Sequence, residues 1–353
     1  MNLKLGLAMT LMVIYLLGCE GASQPEATAN VEQASIEKAS PVENTVPASV
    51  DKAEVTAPVY AETSVEMELQ KVSEHVWFVQ GQAGIATDNE GFISNAAVVV
   101  GDDGIVIVDA LGTPSLAQLL VRKIREVTDK PFLKLIATHY HADHIYGLQV
   151  FQEQGAEILA PVGADKYLDS PNALERLEER QFSLDPWVNE NTRLVYPDRM
   201  LDETETLDIG GVKLTVSYLG AAHSDGDLSV YVEPDGVLIS GDIIFEGRVP
   251  FVGDANTREW LEILARMESQ EMKALIPGHG ALASQPNEVV ALMRRYLEAL
   301  RTHMGSAVED MTSFDEAYAT ADWSEFKDIP AFEEANRINA YQVYLTMEAE
   351  SLE

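Results

Sequence analysis

The chain has 353 residues, which is enough for one large domain or two small ones. Its formal net charge of -34 excludes a nucleic-acid partner, because phosphate binding requires a basic surface, and it leaves no polybasic patch for anionic lipids. Its one cysteine, Cys19, excludes both an internal disulfide framework and a thiolate metal cluster.

The first residues have the features of an export signal. Lys4 supplies a positive charge, and the apolar run over 5–17 would form a helix of about 20 Å, shorter than the roughly 30 Å hydrocarbon core of a membrane. The Leu-Leu-Gly-Cys that ends at Cys19 resembles a bacterial lipobox. We therefore predict a signal peptide over 1–18 and a periplasmic protein that meets the membrane only through a lipid on Cys19. Glu20 favours the outer membrane over the inner one; a plain secretory signal is the alternative.

Residues 19–66 have the composition of a disordered tether. They are rich in Ala, Glu, Val, Thr, Ser and Pro, and they contain neither Trp nor Phe. Such a segment buries too little apolar surface to offset its ordering entropy. A coil of this length would span about 35–40 Å and would hold a folded domain away from a membrane surface.

A folded domain is predicted from residue 67 onward, and it begins with alternating strands and helices. Gly and Asp at 101–104 predict a hairpin turn. Thr113 and Pro114 are typical of a helix start, and apolar residues recur at helical spacing after them. The predicted strands cover 75–79, 96–100, 105–109, 133–137 and 157–160, and the predicted helices cover 115–128 and 145–151.

The most informative stretch is Thr-His-Tyr-His-Ala-Asp-His, which follows the apolar strand 133–137. His139 and His141 project to the same side, because alternate residues of an extended chain share a face. Asp143 and His144 are neighbours and point in different directions. One short loop can thus serve two metal ions, and imidazole and carboxylate groups suit zinc well. The alternative is a loop of surface histidines.

Residues 161–205 interrupt the alternation of strands and helices. They contain a predicted helix over 173–182. Phe182, Trp187 and Tyr196 are aromatic side chains of the kind that line pockets. Two interpretations therefore stay open, namely a lid that faces the substrate and a structural insertion that packs on the domain.

The order of elements then repeats. Strands are predicted over 212–219, 228–232, 237–240 and 274–276, with an amphipathic helix over 257–268. The succession of strands, helix, strands and helix indicates an α/β fold, a four-layer αββα sandwich of two mixed sheets with helices outside. This domain is predicted over 67–285, and a C-terminal helical extension with a break near 312–313 is predicted over 286–353.

Five motifs in order resemble those of the metallo-β-lactamase-fold superfamily, over roughly residues 72–282. They are Asp109 at a strand end, the loop with His139, His141, Asp143 and His144, then His223, Asp242 in Ser-Gly-Asp, and His279 in Pro-Gly-His-Gly. The resemblance implies one metal ion on His139, His141 and His223, a second on Asp143, His144 and His279, and Asp242 as the bridge.

The same resemblance implies that Asp109 holds the ligand loop or a histidine ring in place from behind. His75 and His303 lie outside the motifs, and we expect both to be structural. Two Zn²⁺ ions are the implied cofactors, with iron or manganese as alternatives. A metal pair about 3.5–4 Å apart supplies a hydroxide nucleophile and polarises a carbonyl or phosphoryl oxygen, so no serine or cysteine nucleophile is needed. Asp143 would be both a ligand and the catalytic residue that orients this hydroxide.

Two residues differ from those of particular subfamilies, and these differences argue against the functions of those subfamilies. His141 replaces the glutamate of flavodiiron oxygen reductases, and Asp242 stands where one class of true lactamases has cysteine. The pattern looks closer to glyoxalase II-like thioesterases and periplasmic quinoprotein-relay zinc metallohydrolases. We therefore expect a dinuclear zinc hydrolase of a small ester, thioester or lactam. A mononuclear-iron persulfide dioxygenase, a β-lactamase and a non-catalytic metal-binding lipoprotein are the alternatives, and the substrate and oligomeric state stay open.

Overall fold

The computed structural model describes residues 60–253 and 255–352, within which a pair of β-sheets packs face to face. The first sheet has seven strands in chain order: β1 (Gln70–Lys71), β2 (Val76–Val79), β3 (Ala96–Val100), β4 (Ile105–Val108), β5 (Phe132–Ile136), β6 (Glu157–Pro161) and β7 (Arg199–Leu201). The second has five strands, in the order β12-β11-β10-β9-β8: β8 (Glu205–Asp208), β9 (Lys213–Gly220), β10 (Asp227–Val232), β11 (Val237–Ile239) and β12 (Ala274–Ile276). Both sheets contain parallel and antiparallel pairs, which confirms the predicted pair of mixed sheets.

Strand β4 places apolar side chains on both faces of the first sheet. Ile105 and Ile107 pack towards the outer helices, whereas Val106 and Val108 pack towards the second sheet. Successive side chains of a strand face opposite ways, and all four are fully buried. This double burial explains why the strand is a continuous apolar run in the sequence. Its parallel neighbour β5 ends at the same edge of the sheet, so the residues that follow the two strands meet there.

Helices cover the outer face of each sheet. On the first sheet lie α1 (Pro114–Arg125), α2 (Ala142–Ile145), α3 (Leu148–Glu153), α4 (Ala164–Leu168) and α5 (Pro171–Ser183). On the second lie α6 (Thr257–Glu268), α7 (Pro286–Glu309), α8 (Phe314–Thr320) and α9 (Phe332–Glu350). Helix α1 begins where predicted, because Thr113 Oγ1 accepts a hydrogen bond from Leu116 N–H at 3.1 Å. Among the residues that the structure describes, no helix is both long and apolar enough to cross a membrane.

The insertion over 161–205 is largely packed against the rest of the domain. Its predicted helix is α5, and Leu177 of that helix joins the core of the first sheet together with Val188 and Val195. Strand β7 extends the first sheet parallel to β6. Most of the insertion therefore packs on the domain.

Contacts to the folded domain begin before the predicted boundary at residue 67. Tyr60 donates a hydrogen bond to Glu153 at 2.8 Å, and Thr63 and Ser64 both donate to Glu90. The composition of this stretch could not reveal these contacts, because the two glutamates lie far along the chain. The signal peptide, the lipid on Cys19 and the rest of the predicted tether lie outside the described residues.

Three short strands, β1, β7 and β8, and one helix break were not predicted. Each of these strands has only two to four residues, and its backbone hydrogen bonds come from a neighbouring strand rather than from a marked pattern of its own. The helix predicted over 145–151 is divided between α2 and α3 around Gly147. A side chain at Gly147 would lie 1.9 Å from the carbonyl oxygen of Ala110, so this close approach requires glycine.

Candidate metal centre

The predicted motifs meet at one end of the two sheets. The ligand loop follows β5, Asp242 follows β11, and His279 follows β12. Strands β11 and β12 are parallel, so the residues after them lie at one edge of the second sheet. His223 lies in the turn between β9 and β10, beside the same edge. The topology therefore brings together the seven predicted ligands: His139, His141, Asp143, His144, His223, Asp242 and His279.

Three imidazole nitrogens form the first group of the centre. His141 Nδ1 lies 3.1 Å from His139 Nε2 and 3.0 Å from His223 Nε2. Three nitrogens on a tetrahedral zinc ion with bonds of about 2.0–2.1 Å would be about 3.3 Å apart. The spacing of these nitrogens is thus close to what a zinc ion requires.

A carboxylate and two imidazoles form the second group. Asp143 Oδ2 lies 3.2 Å from His279 Nε2 and 3.6 Å from His144 Nε2. His144 and His279 are buried, and Asp143 lies beside them partly exposed. Within each group the ligand atoms lie within 4.8 Å of one another.

Asp242 lies between the two groups. Its Oδ2 atom is 3.4 Å from His223 Nε2 and 3.3 Å from His279 Nε2, and its Oδ1 atom is 3.2 Å from His144 Nε2. Asp242 Oδ1 and His144 Nε2 are buried, and neither has a hydrogen-bond partner among the described residues. Buried polar atoms of this kind require a partner, and a cation between them would supply it. The residues present therefore fit a bound metal.

Residues behind the ligands fix the orientation of several rings. Asp109 accepts hydrogen bonds from Thr138 N–H at 2.7 Å and from His144 Nδ1 at 2.9 Å, as the family resemblance implied. His279 Nδ1 donates to the carbonyl oxygen of Ile93 at 2.8 Å, and His139 Nδ1 lies 3.0 Å from Thr138 Oγ1. In each of these rings, Nδ1 contacts an oxygen atom on the side away from the candidate metal position. This contact orients the ring so that Nε2 points towards that position.

His223 is held differently from the other rings. Its Nδ1 is buried and has no hydrogen-bond partner among the residues that the structure describes. Its ring instead packs against the rings of Trp260 and Phe245, with centroids 5.2 and 5.8 Å away. Apolar packing therefore fixes this ligand, whereas hydrogen bonds fix His139, His144 and His279.

The electrostatics of the two groups differ. Burial lowers the pKa of His139 well below its usual value and lowers the pKa of His223 to about 3, so both are neutral, as ligands must be. Burial alone would also lower the pKa of His279, but the carboxylates of Asp242 and Asp143 outweigh it and raise that pKa to about 9. The same carboxylates, with Asp109, hold the pKa of His144 above its usual value.

The carboxylates respond in the opposite direction. Burial would raise the pKa of Asp242, yet His279, His144 and His139 hold that pKa well below its usual value. Burial would likewise raise the pKa of Asp143, and the nearby His144 and His279 keep it low. Without a metal ion, the second group is therefore a set of paired charges.

Glycines next to the ligands allow the loops to approach closely. A side chain at Gly278 would lie 1.9 Å from Asp242 Oδ1, and one at Gly241 would lie 2.5 Å from Thr138 Oγ1. Gly241 also has a φ of +52°, which favours glycine. The glycines of Ser-Gly-Asp and Pro-Gly-His-Gly are thus required by the packing of the site itself.

A cavity of about 240 Å³ opens beside His141. Its lining contains many polar side chains, and it comes from four segments of the chain: Tyr140 of the ligand loop, Lys166, Tyr167 and Asn172 of the insertion, Ser224 before β10, and Asn256 before α6. Lys166 Nζ lies 3.6 Å from Asp225 Oδ1 at the mouth. These residues were missed by the sequence analysis, because no local pattern distinguishes them from ordinary surface residues.

The three aromatic residues proposed for a lid do not line this cavity. Phe182 is 91% exposed, Tyr196 is 56% exposed with its hydroxyl on Asp169, and Trp187 Nε1 donates to the carbonyl oxygen of Glu62. None of the three side chains therefore contributes to the wall of this cavity. Helix α4 and the start of α5 face the cavity instead.

The other two histidines lie away from the centre, as predicted. His75 Nδ1 is 2.7 Å from Asp235 Oδ1 and so connects the start of β2 to the turn between β10 and β11. His303 of α7 packs its ring against Trp323, with centroids 5.2 Å apart. Neither belongs to a group of candidate ligands in the described residues.

Comparison with known sequences places these features in one family. A family model described as the metallo-beta-lactamase superfamily matches residues 89–279. An acyl-coenzyme A thioesterase, MBLAC2 of Gallus gallus, is 27% identical over 205 residues, which are 53% of this chain and 72% of the relative. A metallo-beta-lactamase type 2 of Bacteroides fragilis is 21% identical over 192 residues, which are 53% of this chain and 69% of the relative.

Solved structures share the fold. A metallo-beta-lactamase from Pontibacter korlensis has a TM-score of 0.54 and 19% identity, with 66% of this chain and 99% of that chain covered. The sec-alkylsulfatase Pisa1 from Pseudomonas sp. has a TM-score of 0.61 and 17% identity, with 79% of this chain and 50% of that chain covered. At such identities these structures establish the fold alone.

Proposed function

The chain belongs to the metallo-beta-lactamase superfamily and is a metal-dependent hydrolase, and we propose that it is a dinuclear zinc enzyme that hydrolyses a small ester, thioester or lactam. The matched region covers more than half of the chain and contains all seven candidate ligands. The observation that carries the proposal is the convergence of these ligands in two adjoining groups, with Asp242 between them.

In this proposal each group holds one zinc ion. His139, His141 and His223 would bind the first ion. Asp143, His144 and His279 would bind the second, and the two oxygens of Asp242 would reach both. When bound, the ions would supply a hydroxide nucleophile near neutral pH and polarise the scissile carbonyl group.

The chain's own residues would orient the reaction around these ions. Asp143 places one carboxylate oxygen near His279 and is partly exposed, so it can also accept a proton from the attacking water. Asp109 fixes His144 and the backbone of Thr138, which keeps the ligand loop in place before substrate arrives. The polar cavity beside His141 would hold the rest of the substrate.

The substrate class is inferred from the activities of the relatives. One relative is an acyl-coenzyme A thioesterase and another is a metallo-beta-lactamase, so thioester and lactam carbonyls are the first candidates. Both reactions need the same polarised carbonyl and the same nucleophile. β-Lactam hydrolysis is the second candidate function, because several lactamases are among the relatives.

The test is metal analysis and hydrolysis with the full chain. Purified protein loaded with Zn²⁺ is expected to hold about two ions per chain and to hydrolyse one member of a panel of acyl-coenzyme A thioesters, lactones, phosphoesters and cephalosporins. An Asp242→Ala variant serves as the inactive control. One iron per chain with oxygen uptake on a persulfide would replace this proposal with a dioxygenase, and metal binding without turnover of any substrate would replace it with a binding protein.

We also propose that the enzyme is a periplasmic lipoprotein anchored at Cys19. We propose the outer membrane rather than the inner one as the site of this anchor. The support is the sequence alone, namely the apolar run and the Leu-Leu-Gly-Cys that follows it. Expression with a radiolabelled fatty acid in a bacterial host is expected to label the wild type and not Cys19→Ser. Equal labelling of the two proteins would contradict the anchor.

A further inference from the structure

The C-terminal helices hold a loop of the metal centre. This loop, residues 244–253, begins just after Asp242. Its Phe245 stacks on the ring of His279, with centroids 5.0 Å apart and an angle of 3° between the planes. After the loop comes Asn256, which lines the cavity beside His141. The loop thus connects a metal ligand to the wall of the cavity.

One buried amide of the C-terminal helices makes two hydrogen bonds to this loop. Asn339 of α9 is fully buried. Its Nδ2 donates to the carbonyl oxygen of Pro250 at 2.8 Å, and its Oδ1 accepts from Val252 N–H at 3.1 Å. A further bond runs from Val249 N–H to the carbonyl oxygen of Pro330 at 3.0 Å. Buried backbone groups need hydrogen-bond partners, and the C-terminal region supplies partners for these N–H and carbonyl groups of the loop.

A second asparagine offers a natural comparison. Asn336, one turn earlier on α9, is also fully buried. Its Oδ1 accepts from Tyr296 Oη at 2.9 Å, and its Nδ2 donates to Tyr318 Oη at 3.2 Å. Both tyrosines belong to the C-terminal helices, in α7 and α8. Asn339 Nδ2 also donates to Tyr296 Oη at 3.0 Å, so both asparagines join helix to helix, and Asn339 in addition joins helix to loop.

We propose that Asn339 is a positioning residue, through which the C-terminal extension sets the loop 244–253 and with it the wall of the substrate cavity. Asn339 touches neither the candidate metal ligands nor the cavity, so it acts through the loop. Only the kinetic measurement in the test rests on the proposed hydrolase function. The exchange measurements report on the loop directly.

The first test uses hydrogen exchange on the wild-type full chain. The amides of Val249 and Val252 are expected to be protected as well as a core amide of α9 such as that of Val343, because they open only when the helices separate from the loop. The exposed Gly247 in the same loop is expected to exchange fast. Exchange of Val249 and Val252 at the rate of Gly247 would overturn the proposal.

The second test compares Asn339→Leu with Asn336→Leu. Both variants lose a buried amide and are expected to melt at lower temperature. Only Asn339→Leu is expected to accelerate exchange over 244–253 and to raise KM on the order of tenfold with metal content unchanged, since a small displacement of a site wall impairs substrate placement. Equal effects of the two variants on loop exchange would overturn the proposal.

The two proposals remain separable. A wild type that turns over no substrate contradicts the hydrolase and leaves the exchange difference to decide the role of Asn339. An active wild type with no exchange difference contradicts the role of Asn339 and leaves the hydrolase intact. If Asn339→Leu does not fold, the wild-type exchange measurement decides alone.

Discussion

The two ligand groups of the metal centre hold their side chains in different charge states. In the first group burial keeps His139 and His223 neutral, because their pKa values are lowered. In the second group the carboxylates raise the pKa of His279 to about 9 while their own pKa values stay low. The neutral imidazoles of the first group can thus bind a cation without losing a proton. The second group must release protons before it binds a cation.

The difference follows from the placement of the carboxylates. Asp143 is close only to the imidazoles of the second group, and both oxygens of Asp242 also reach this group. The first group has only the more distant contact to Asp242 Oδ2, at 3.4 Å from His223 and 3.7 Å from His139. A metal ion in the second group would therefore replace bound protons that the first group does not have.

The largest expected effect is that of Asp242→Ala, which removes the residue shared by the two groups. The first group keeps three imidazoles, so we expect about one zinc ion per chain by elemental analysis. Hydrolysis should fall on the order of 10²-fold or more, because loss of a ligand exceeds loss of a residue behind it. His139→Ala is the matched variant that breaks the first group instead. Two ions per chain with full turnover in Asp242→Ala would contradict the dinuclear assignment.

The second prediction concerns pH. Since the pKa of His279 is raised to about 9 in the metal-free protein and that of His144 is also raised, both imidazoles must lose a proton before a metal ion binds the second group. Affinity for that metal should fall by up to about tenfold per pH unit for each proton released, from pH 8 to pH 6. Calorimetry in buffers of different ionisation enthalpy measures this proton release. Release of no proton at pH 7.5 would be the contrary result.

The raised pKa of His279 also affects the stability of the metal-free protein. A higher pH favours metal binding but lowers this stability. The folded pKa of His279 lies above its unfolded value of about 6.5. Its contribution is therefore complete below pH 6.5 and is lost as the pH rises through 9. We expect the melting temperature of the stripped protein to fall over this range more steeply than that of His279→Gln. Parallel profiles of the two proteins would exclude this charge pairing.

The fourth prediction addresses Asp109, which contacts the second group through His144. Asp109→Asn keeps the shape but weakens the acceptor for His144 Nδ1. Affinity for the second metal should fall about 10–100-fold, as is usual when such a partner is lost. The first metal should be retained, and titration with a zinc-binding dye would resolve the two affinities. If the affinity of the first metal site fell more than that of the second, the assignment of Asp109 to the second group would be wrong.

The smallest expected effect is that of Thr138→Val, which removes the hydroxyl behind the first group. The hydroxyl donates to Asp109 Oδ2 at 2.9 Å and lies 3.0 Å from His139 Nδ1. We expect a loss of about 1 kcal/mol in the free energy of unfolding and a few-fold weaker first metal site. Thr138→Ser, which keeps the hydroxyl, should behave like the wild type. Chemical denaturation and metal titration of the three proteins test this.

The sequence by itself predicted the candidate ligands and the class of fold. The histidines of the ligand loop are close along the chain, and the strand before them has a clear apolar pattern, so local geometry places them. The succession of strands and helices likewise predicted the sandwich, because each element must bury its own apolar face. The glycines next to Asp242 and His279 belong to the same local motifs.

Only the tertiary structure decided what surrounds those ligands. Phe182 and Trp187 looked like pocket residues, but the direction of α5 turns Phe182 to solvent and the chain before Met67 binds Trp187. Lys166 lines the cavity, and Asn339 supports its wall from nearly a hundred residues beyond the ligand Asp242. Contacts between distant segments have no local pattern, because each depends on where a second segment lies in the folded chain.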